Sequence, residues 1–194
     1  MNKVHIIGKV KGSFTFEFEN YGEKFYRVYL AVKRVSENVD VLPVIISNRI
    51  IDVTADWEER YLEIDGQYRS FNKHENGKTH LDLTVFCKDV QEVDEDNVNE
   101  VFLDGYICKN PKYRETPLGR KLAEVIIVVK RSYGKPDYIP CICWGRNARF
   151  ASSFEVGTHV QITGRIQSRE YVKKISDTEV EQRVAYEVSV SRLE

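Results

Sequence analysis

The chain has 194 residues, enough for one large domain or for two of about 100 residues each. Apolar residues make up 42% of it and prolines number only five, while Val, Ile and Tyr are frequent, so the composition predicts a soluble, strand-rich globular protein and excludes a disordered chain. No apolar run approaches the roughly 18 residues of a membrane span. The first residues enter a strand pattern at once, which leaves no room for a signal peptide and predicts a cytoplasmic protein.

Charge is unevenly distributed along the chain. The formal net charge is only −1, which taken alone argues against a protein that binds phosphates without regard to sequence. From Val98 onward, however, sixteen Lys and Arg residues stand against twelve Asp and Glu, whereas the preceding residues hold thirteen and eighteen. The second half is therefore basic and the first half is acidic.

An internal repeat with a constant offset of 97 residues runs through the chain. A constant offset over several segments is hard to obtain by chance. We therefore predict two domains of the same fold, residues 1–97 and residues 98–194. The matching segments are residues 2–8 (NKVHIIG) with 99–105 (NEVFLDG), residues 22–34 with 119–131, and residues 40–49 (DVLPVIISNR) with 137–146 (DYIPCICWGR).

Each half is predicted to contain, in chain order, a strand, a long strand, a strand, a helix, a strand and a strand. The helices are expected at residues 50–59 and 147–154, and polar hairpin tips at residues 72–77 and 173–181. Residues 89–97 are expected to form an acidic connector. This is the order of a five-stranded Greek-key barrel with a helix between its third and fourth strands, the OB-fold. The predicted architecture is all-β, with two tandem OB-folds.

The fourth strand of the second half separates an apolar face from a cationic one. Strand alternation places Val160 and Ile162 on one side and Arg165, Arg169 and Tyr171 on the other. An outward barrel face that carries both rings and guanidinium groups suits single-stranded nucleic acid. Bases stack on the rings at about 1–3 kcal/mol each, and the cations follow the backbone.

The preceding strand adds rings to the same prediction. Alternation buries Cys141 and Cys143 and turns Tyr138 and Trp144 outward, together with Pro140 and Ile142 between them. The alternative interpretation is that the rings pack at an edge or interface and that the arginines form a solvated surface.

The first half is expected to be mainly structural. Glu63 and Asp65 occupy the face that carries Gln161 and Thr163 in the second half, so they should repel phosphate. Its first two strands are rich in aromatic residues, which favours hairpin packing first and a protein interface second.

Several residue types that often mark a site are expected to be structural here. The four cysteines lack the paired spacing of a zinc site, and the four histidines show no metal-ligand spacing. Trp57 falls at the place that Phe154 occupies in the second half, which predicts a core residue. Phosphate-binding glycine loops, nucleophile elbows and kinase signatures are absent. We predict a protein that is not an enzyme and needs no metal or cofactor.

The combined pattern of the second half resembles the bacterial and phage single-stranded DNA-binding proteins. The resemblance rests on residues 99–105, on the strand that ends at Lys130 and Arg131, and on residues 137–146 and 157–171. The first half matches more weakly through residues 2–8 and 66–69, so the chain is similar to the variants that carry two OB-folds.

The resemblance implies a set of DNA-binding residues. The family's stacking positions correspond to Tyr133, Tyr138, Trp144 and Tyr171, whose first-half equivalents are all non-aromatic, namely Ser36, Val41, Ser47 and Lys73. We expect the second barrel to bind DNA and the first to bind weakly or not at all. With the cations, the expected nucleic-acid-binding residues are Tyr133, Tyr138, Trp144, Tyr171, Lys130, Arg131, Arg146, Arg165 and Arg169.

The resemblance also implies a function and partners. The expected function is sequence-independent binding of single-stranded DNA in replication, recombination or repair. A homodimer that presents four OB-folds is expected, with pairing through the strand that begins Asn-x-Val. Recruitment of repair enzymes through an acidic C-terminal tail is not expected, because the sequence stops at Glu194 without one. Two alternatives stay open: an adaptor that binds a protein partner, and a primosome-type or RNA-binding OB protein.

Overall fold

The computed structural model describes all 194 residues as eleven strands and one helix. Strands dominate because the sequence alternates apolar and polar residues over long segments, a pattern that fits a half-buried sheet. No helix combines the length and the hydrophobicity that crossing a membrane requires. The elements are β1 (Asn2–Asn20), β2 (Glu23–Lys33), β3 (Val39–Ser47), β4 (Tyr61–Glu75), β5 (Lys78–Val93), β6 (Val98–Ile107), β7 (Lys112–Glu115), β8 (Lys121–Val129), β9 (Asp137–Trp144), α1 (Gly145–Ala151), β10 (His159–Lys174) and β11 (Val180–Leu193).

Each half closes a ring of five strands. In the first half the ring runs β1-β2-β3-β5-β4 and returns to β1, with a parallel β3–β5 pair and antiparallel pairs elsewhere. In the second half it runs β6-β8-β9-β11-β10 and returns to β6 in the same pattern. The short strand β7 pairs with β8 outside this ring. The predicted all-β class with a closed five-stranded barrel is confirmed.

The two rings are joined by an antiparallel pair between β1 and β6. An asparagine at the start of each of these strands hydrogen-bonds to the backbone of a neighbouring strand. Asn2 donates to the Tyr68 carbonyl at 2.6 Å and accepts from the Tyr68 N–H at 2.8 Å. Asn99 makes the same pair of hydrogen bonds with Ile166, at 2.7 and 2.8 Å. The Asn-x-Val motif therefore ties the first strand of each ring to its fourth strand.

The core follows the predicted alternation. Val160, Ile162 and Ile166 of β10 are buried, and so are Cys141 and Cys143 of β9, within a hydrophobic cluster of 34 buried residues drawn from both halves. The side chains between them lie outside this cluster. The prediction that the Cys-x-Cys thiols share one buried face is confirmed.

The helix predicted for residues 50–59 is wrong, because this segment forms turns. The Asp52 carboxylate accepts the Thr54 N–H at 3.0 Å, and that of Asp56 accepts the Glu58 N–H at 3.1 Å. Such local bonds compete with helical ones. Trp57 nevertheless packs against the core as predicted.

Two boundaries also differ from the prediction. The expected acidic connector, residues 89–97, is mostly strand, since β5 continues to Val93 and pairs with β4 along its length. The second-half helix begins two residues earlier than expected, at Gly145, which has a φ of 57°. The first hairpin does turn within residues 72–77, where Asn76 and Gly77 both have positive φ.

Candidate nucleic-acid interface

Strand β9 presents two of the predicted rings. Tyr138 lies at its start and is 41% exposed, and Trp144 lies at its end and is partly exposed. Between them, Pro140 is partly exposed. Ile142 was predicted to face outward together with these side chains. It is buried outside the core cluster, with Glu124 of β8 and Ser189 of β11 as its flanking neighbours in register.

Strand register brings the cations onto the same face as these rings. Ile142 lies beside Ser189 of β11, and Ser189 lies opposite Arg165 of β10. Paired residues of neighbouring strands point to the same side of a sheet. Arg165, and with it Arg169 and Tyr171 further along β10, therefore share the outward side. We call this outward side the stacking face, defined by Tyr138, Trp144, Arg165, Arg169 and Tyr171.

Trp144 has a cationic neighbour that sequence reasoning missed. The Arg120 guanidinium lies over the indole ring, 4.1 Å from its centroid, an arrangement that attracts a cation to the ring face. The equivalent first-half residues are Glu23 and Ser47, and there the Ser47 hydroxyl donates to the Glu23 carboxylate at 2.6 Å. The repeat offset could have found this contact, since Glu23 and Arg120 are 97 residues apart.

The other predicted rings differ in their surroundings. Tyr133 is 90% exposed in the loop between β8 and β9. Tyr171 is 37% exposed on β10 and lies opposite Arg183 of β11. Tyr133 therefore extends from a loop, whereas Tyr171 belongs to the sheet.

The predicted cations also differ. Lys130 is exposed, with Nζ 5.8 Å from the Tyr106 ring centroid, and Arg146 is exposed on α1. Arg169 lies 3.5 Å from the Glu187 carboxylate. Arg165 donates to the Gln167 side-chain carbonyl at 3.3 Å, so its charge has a neutral partner within its own strand.

Arg131 is held in a structural contact between the halves. Its Nε donates to Asp137 Oδ2 at 2.9 Å, and its Nη2 donates to Asp137 Oδ1 at 2.5 Å and to the Ser70 carbonyl at 3.3 Å. Asp137, which is buried, accepts the Ser70 N–H at 2.9 Å, and the Ser70 hydroxyl accepts the Tyr138 N–H at 2.8 Å. We call Arg131, Asp137 and Ser70 the Arg131 clasp. The sequence could not show it, since Ser70 is distant in the chain.

The first half makes the equivalent contact, which we call the Arg34 clasp: Arg34, Asp40 and Ser168. Arg34 donates to the two carboxylate oxygens of Asp40 at 2.6 and 2.7 Å. Asp40 accepts the Ser168 N–H at 3.0 Å and its hydroxyl at 3.2 Å. Burial alone would raise the pKa of Asp40, but the hydrogen bonds from Arg34 and Ser168 outweigh it and lower the pKa.

The equivalent face of the first half is acidic, as predicted. Glu63 accepts from the Gln91 amide at 2.6 Å and lies 3.4 Å from His5 Nε2, and Asp65 is exposed. No ring of β3 faces outward there, because Val41 and Ser47 replace Tyr138 and Trp144. The halves thus share a frame and differ in the side chains that a ligand could contact.

A five-stranded ring with an outward face of rings and arginines offers a surface on which bases can stack beside cations. The profile of the Single-strand binding protein family matches residues 98–194, half of the chain. The chain therefore belongs to the single-strand binding protein family.

Curated relatives match the chain in part. Single-stranded DNA-binding protein 2 of Listeria innocua is 33% identical over 94 residues, which cover 43% of this chain and 59% of the relative. Single-stranded DNA-binding protein B of Bacillus subtilis is 34% identical over 80 residues, 38% of this chain and 71% of the relative. The chain thus spans less than two thirds of the first of these relatives.

A solved structure matches the whole chain. The wild-type single-stranded DNA binding protein from Thermus aquaticus has a TM-score of 0.80 and 17% identity, and the match covers 100% of this chain and 92% of that one. At this identity the likeness concerns the fold alone.

Proposed function

We propose that this protein binds single-stranded DNA without sequence preference, through the stacking face of its second half. The observation that carries the proposal is the placement of Tyr138, Trp144 and Tyr171 on one outward sheet face with Arg165 and Arg169. Family membership supports it, because the curated relatives carry the name single-stranded DNA-binding protein. A role in DNA replication, recombination or repair follows from the same family.

The chemistry of the face accounts for binding without sequence preference. Every base has a π-face, so stacking on Tyr138 or Trp144 tolerates any base. Arg165 and Arg169 offer charge to the backbone, which carries no sequence information. The action is binding rather than catalysis.

We further propose that the two rings are tandem OB-folds, residues 1–97 and 98–194, and that the first is mainly structural. Its outward acids Glu63 and Asp65 disfavour phosphate. Ser47 supports the same division, because it is hydrogen-bonded to Glu23 where the second half has the partly exposed indole of Trp144.

A homodimer that presents four barrels is part of the proposal. The copies would meet through a surface other than the Asn-x-Val strands. Within one chain, β1 already pairs with β2, β4 and β6, and β6 already pairs with β1, β8 and β10. Molar mass from light scattering tests this: a dimer supports the proposal, and a monomer at DNA-binding concentrations contradicts it.

Titration with oligo-dT tests the function. Tryptophan emission should be quenched as oligo-dT is added, and the affinity should fall as salt rises, since bound phosphates displace counterions. Trp144→Ala should remove most of the emission change while the Trp57 emission stays. The absence of quenching in wild-type protein at low salt would contradict the proposal. Competition between matched DNA and RNA oligomers then decides the preferred substrate.

A further inference from the structure

A polar notch of about 400 Å³ lies where the first half meets β10 of the second. Its walls come from the end of β2, the loop that follows it, the link between β5 and β6, and Arg165 of β10. Both halves therefore contribute to it. The residues that bear on its chemistry are Lys33, Arg34, Asp40, Asn97 and Arg165.

The notch carries excess positive charge. Three cations, Lys33, Arg34 and Arg165, line it with a single carboxylate, that of Asp40. Both oxygens of this buried carboxylate are already bonded to Arg34 within the Arg34 clasp. Asp40 is thus neutralised by Arg34, and the charges of Lys33 and Arg165 are left over.

Neither remaining cation is firmly paired. Lys33 Nζ lies 3.1 Å from a Glu37 oxygen, but both side chains are exposed, and exposed pairs of this kind contribute only about 0–1 kcal/mol. Arg165 has the neutral Gln167 as its partner. Burial and the nearby charge of Arg34 lower the pKa of Arg165, which is the direction expected when a cation lacks a compensating anion.

The notch continues the stacking face. Across the sheet, Ile142 of β9, Ser189 of β11 and Arg165 of β10 form one row. Neighbouring strands lie about 4.8 Å apart, so Arg165 is roughly 10 Å from β9. Arg165 belongs to the stacking face and also lines the notch, so the two surfaces meet at this residue.

We propose that this notch binds a backbone phosphate of the same single strand, held by Arg165 of the second half and Lys33 of the first. The proposal rests on the proposed function and extends it, because it gives the largely structural first half a direct contact with DNA. The mirror-related position has Gln67 in place of Arg165. The equivalent residues Lys130, Arg131, Asp137 and Gln67 also line a groove, but they supply one cation fewer than Lys33, Arg34, Asp40 and Arg165 do.

Two lysines of the same strand provide a matched test. Lys33 ends β2 and lines the notch, whereas Lys24 lies near the start of β2, is exposed and is remote from the notch. The full-length wild type, Lys33→Gln and Lys24→Gln are titrated with oligo-dT between 50 and 200 mM NaCl, with tryptophan emission as the signal. Thermal unfolding of each variant checks that the fold is unchanged.

The expected result is that Lys33→Gln lowers the slope of log affinity against log salt by about 0.7, the value for one phosphate contact on a single strand. Its affinity at low salt should fall roughly three- to tenfold, and Lys24→Gln should match the wild type. If the two variants behave alike, with binding unchanged in both or weakened in both, the proposed phosphate contact in the notch is overturned. If the wild type itself fails to bind, the proposed function fails first.

Discussion

Val4 and Val101 face each other across the β1–β6 pair, and they are 97 residues apart, the same offset that relates the two halves. An approximate two-fold axis therefore passes through this pair. The same axis relates the Arg131 and Arg34 clasps, since each joins an Arg–Asp pair of one half to a serine of the other half. The halves pack as two copies of one protein would, within a single chain.

This arrangement predicts that the halves unfold together. Each half contains one tryptophan, Trp57 or Trp144, so Trp57→Phe and Trp144→Phe give two proteins with one reporter each. Because separation would expose β1, β6 and the buried acids of both clasps, we expect coincident urea midpoints for the two reporters. Circular dichroism on the same samples should give the same midpoint. Two separate transitions would mean that the halves unfold independently, contrary to this expectation.

The Arg34 clasp should contribute stability that depends on pH. Asp40→Asn removes a charged acceptor from Arg34 and Ser168, so the free energy of unfolding at pH 7 should fall by roughly 1.5–3 kcal/mol. The folded pKa of Asp40 is lowered. Its contribution is therefore complete above an unfolded pKa of about 3.9 and is lost as the pH falls through the folded value.

Urea unfolding of the Asp40 variant at pH 7 and at decreasing pH below about 4 measures this difference. Asp94→Asn makes the same change at an exposed position and should stay within about 0.5 kcal/mol of the wild type. A loss that is independent of pH down to pH 2 would rule out the linkage.

The first half provides a substitution that should disable the second. The double substitution Arg120→Glu and Trp144→Ser places the residue types of the Glu23–Ser47 pair at the equivalent positions of the second half. Stacking worth about 1–3 kcal/mol should be lost, which weakens binding of labelled oligo-dT roughly 5- to 150-fold by anisotropy. Glu23→Ala with Ser47→Ala serves as the control and should bind as the wild type does. Equal losses in both double variants would contradict a site on the second half.

Thiol reactivity should distinguish one cysteine from the other three. Burial raises the pKa of Cys87 and of Cys143 to about 12, and the pKa of Cys141 well above its usual range. With a pKa of 12, only about one thiol in ten thousand is ionised to the thiolate at pH 8. Cys108 is only partly buried. An aromatic disulfide reagent should therefore label one thiol quickly, and Cys108→Ser should abolish that phase. Fast labelling of two or more thiols would be contrary to expectation.

The sequence predicted the features that local patterns determine. Strand alternation correctly separated Cys141 and Cys143 from Tyr138 and Trp144, because side chains alternate with period two in any strand. The repeat predicted two equivalent strand orders. The helix prediction failed at residues 50–59, where Asp52 and Asp56 accept hydrogen bonds from nearby N–H groups and the chain forms turns.

The contacts between the halves lay beyond sequence reasoning. Arg131 looked like a phosphate contact, but its partners are Asp137 and the distant Ser70. Nothing local in the sequence shows that Ser70 approaches Tyr138. The repeat did contain a clue, because an Arg six residues before an Asp occurs in both halves, and residues that both halves keep belong to the common frame.

Single-stranded DNA should bind the second half, through the stacking face. The direct measurement is a titration of oligo-dT into Trp57→Phe, which leaves Trp144 as the reporter, and into Trp144→Phe, which leaves Trp57. We expect salt-sensitive quenching of Trp144 and unchanged emission from Trp57. Quenching of Trp57 with a silent Trp144 would contradict it.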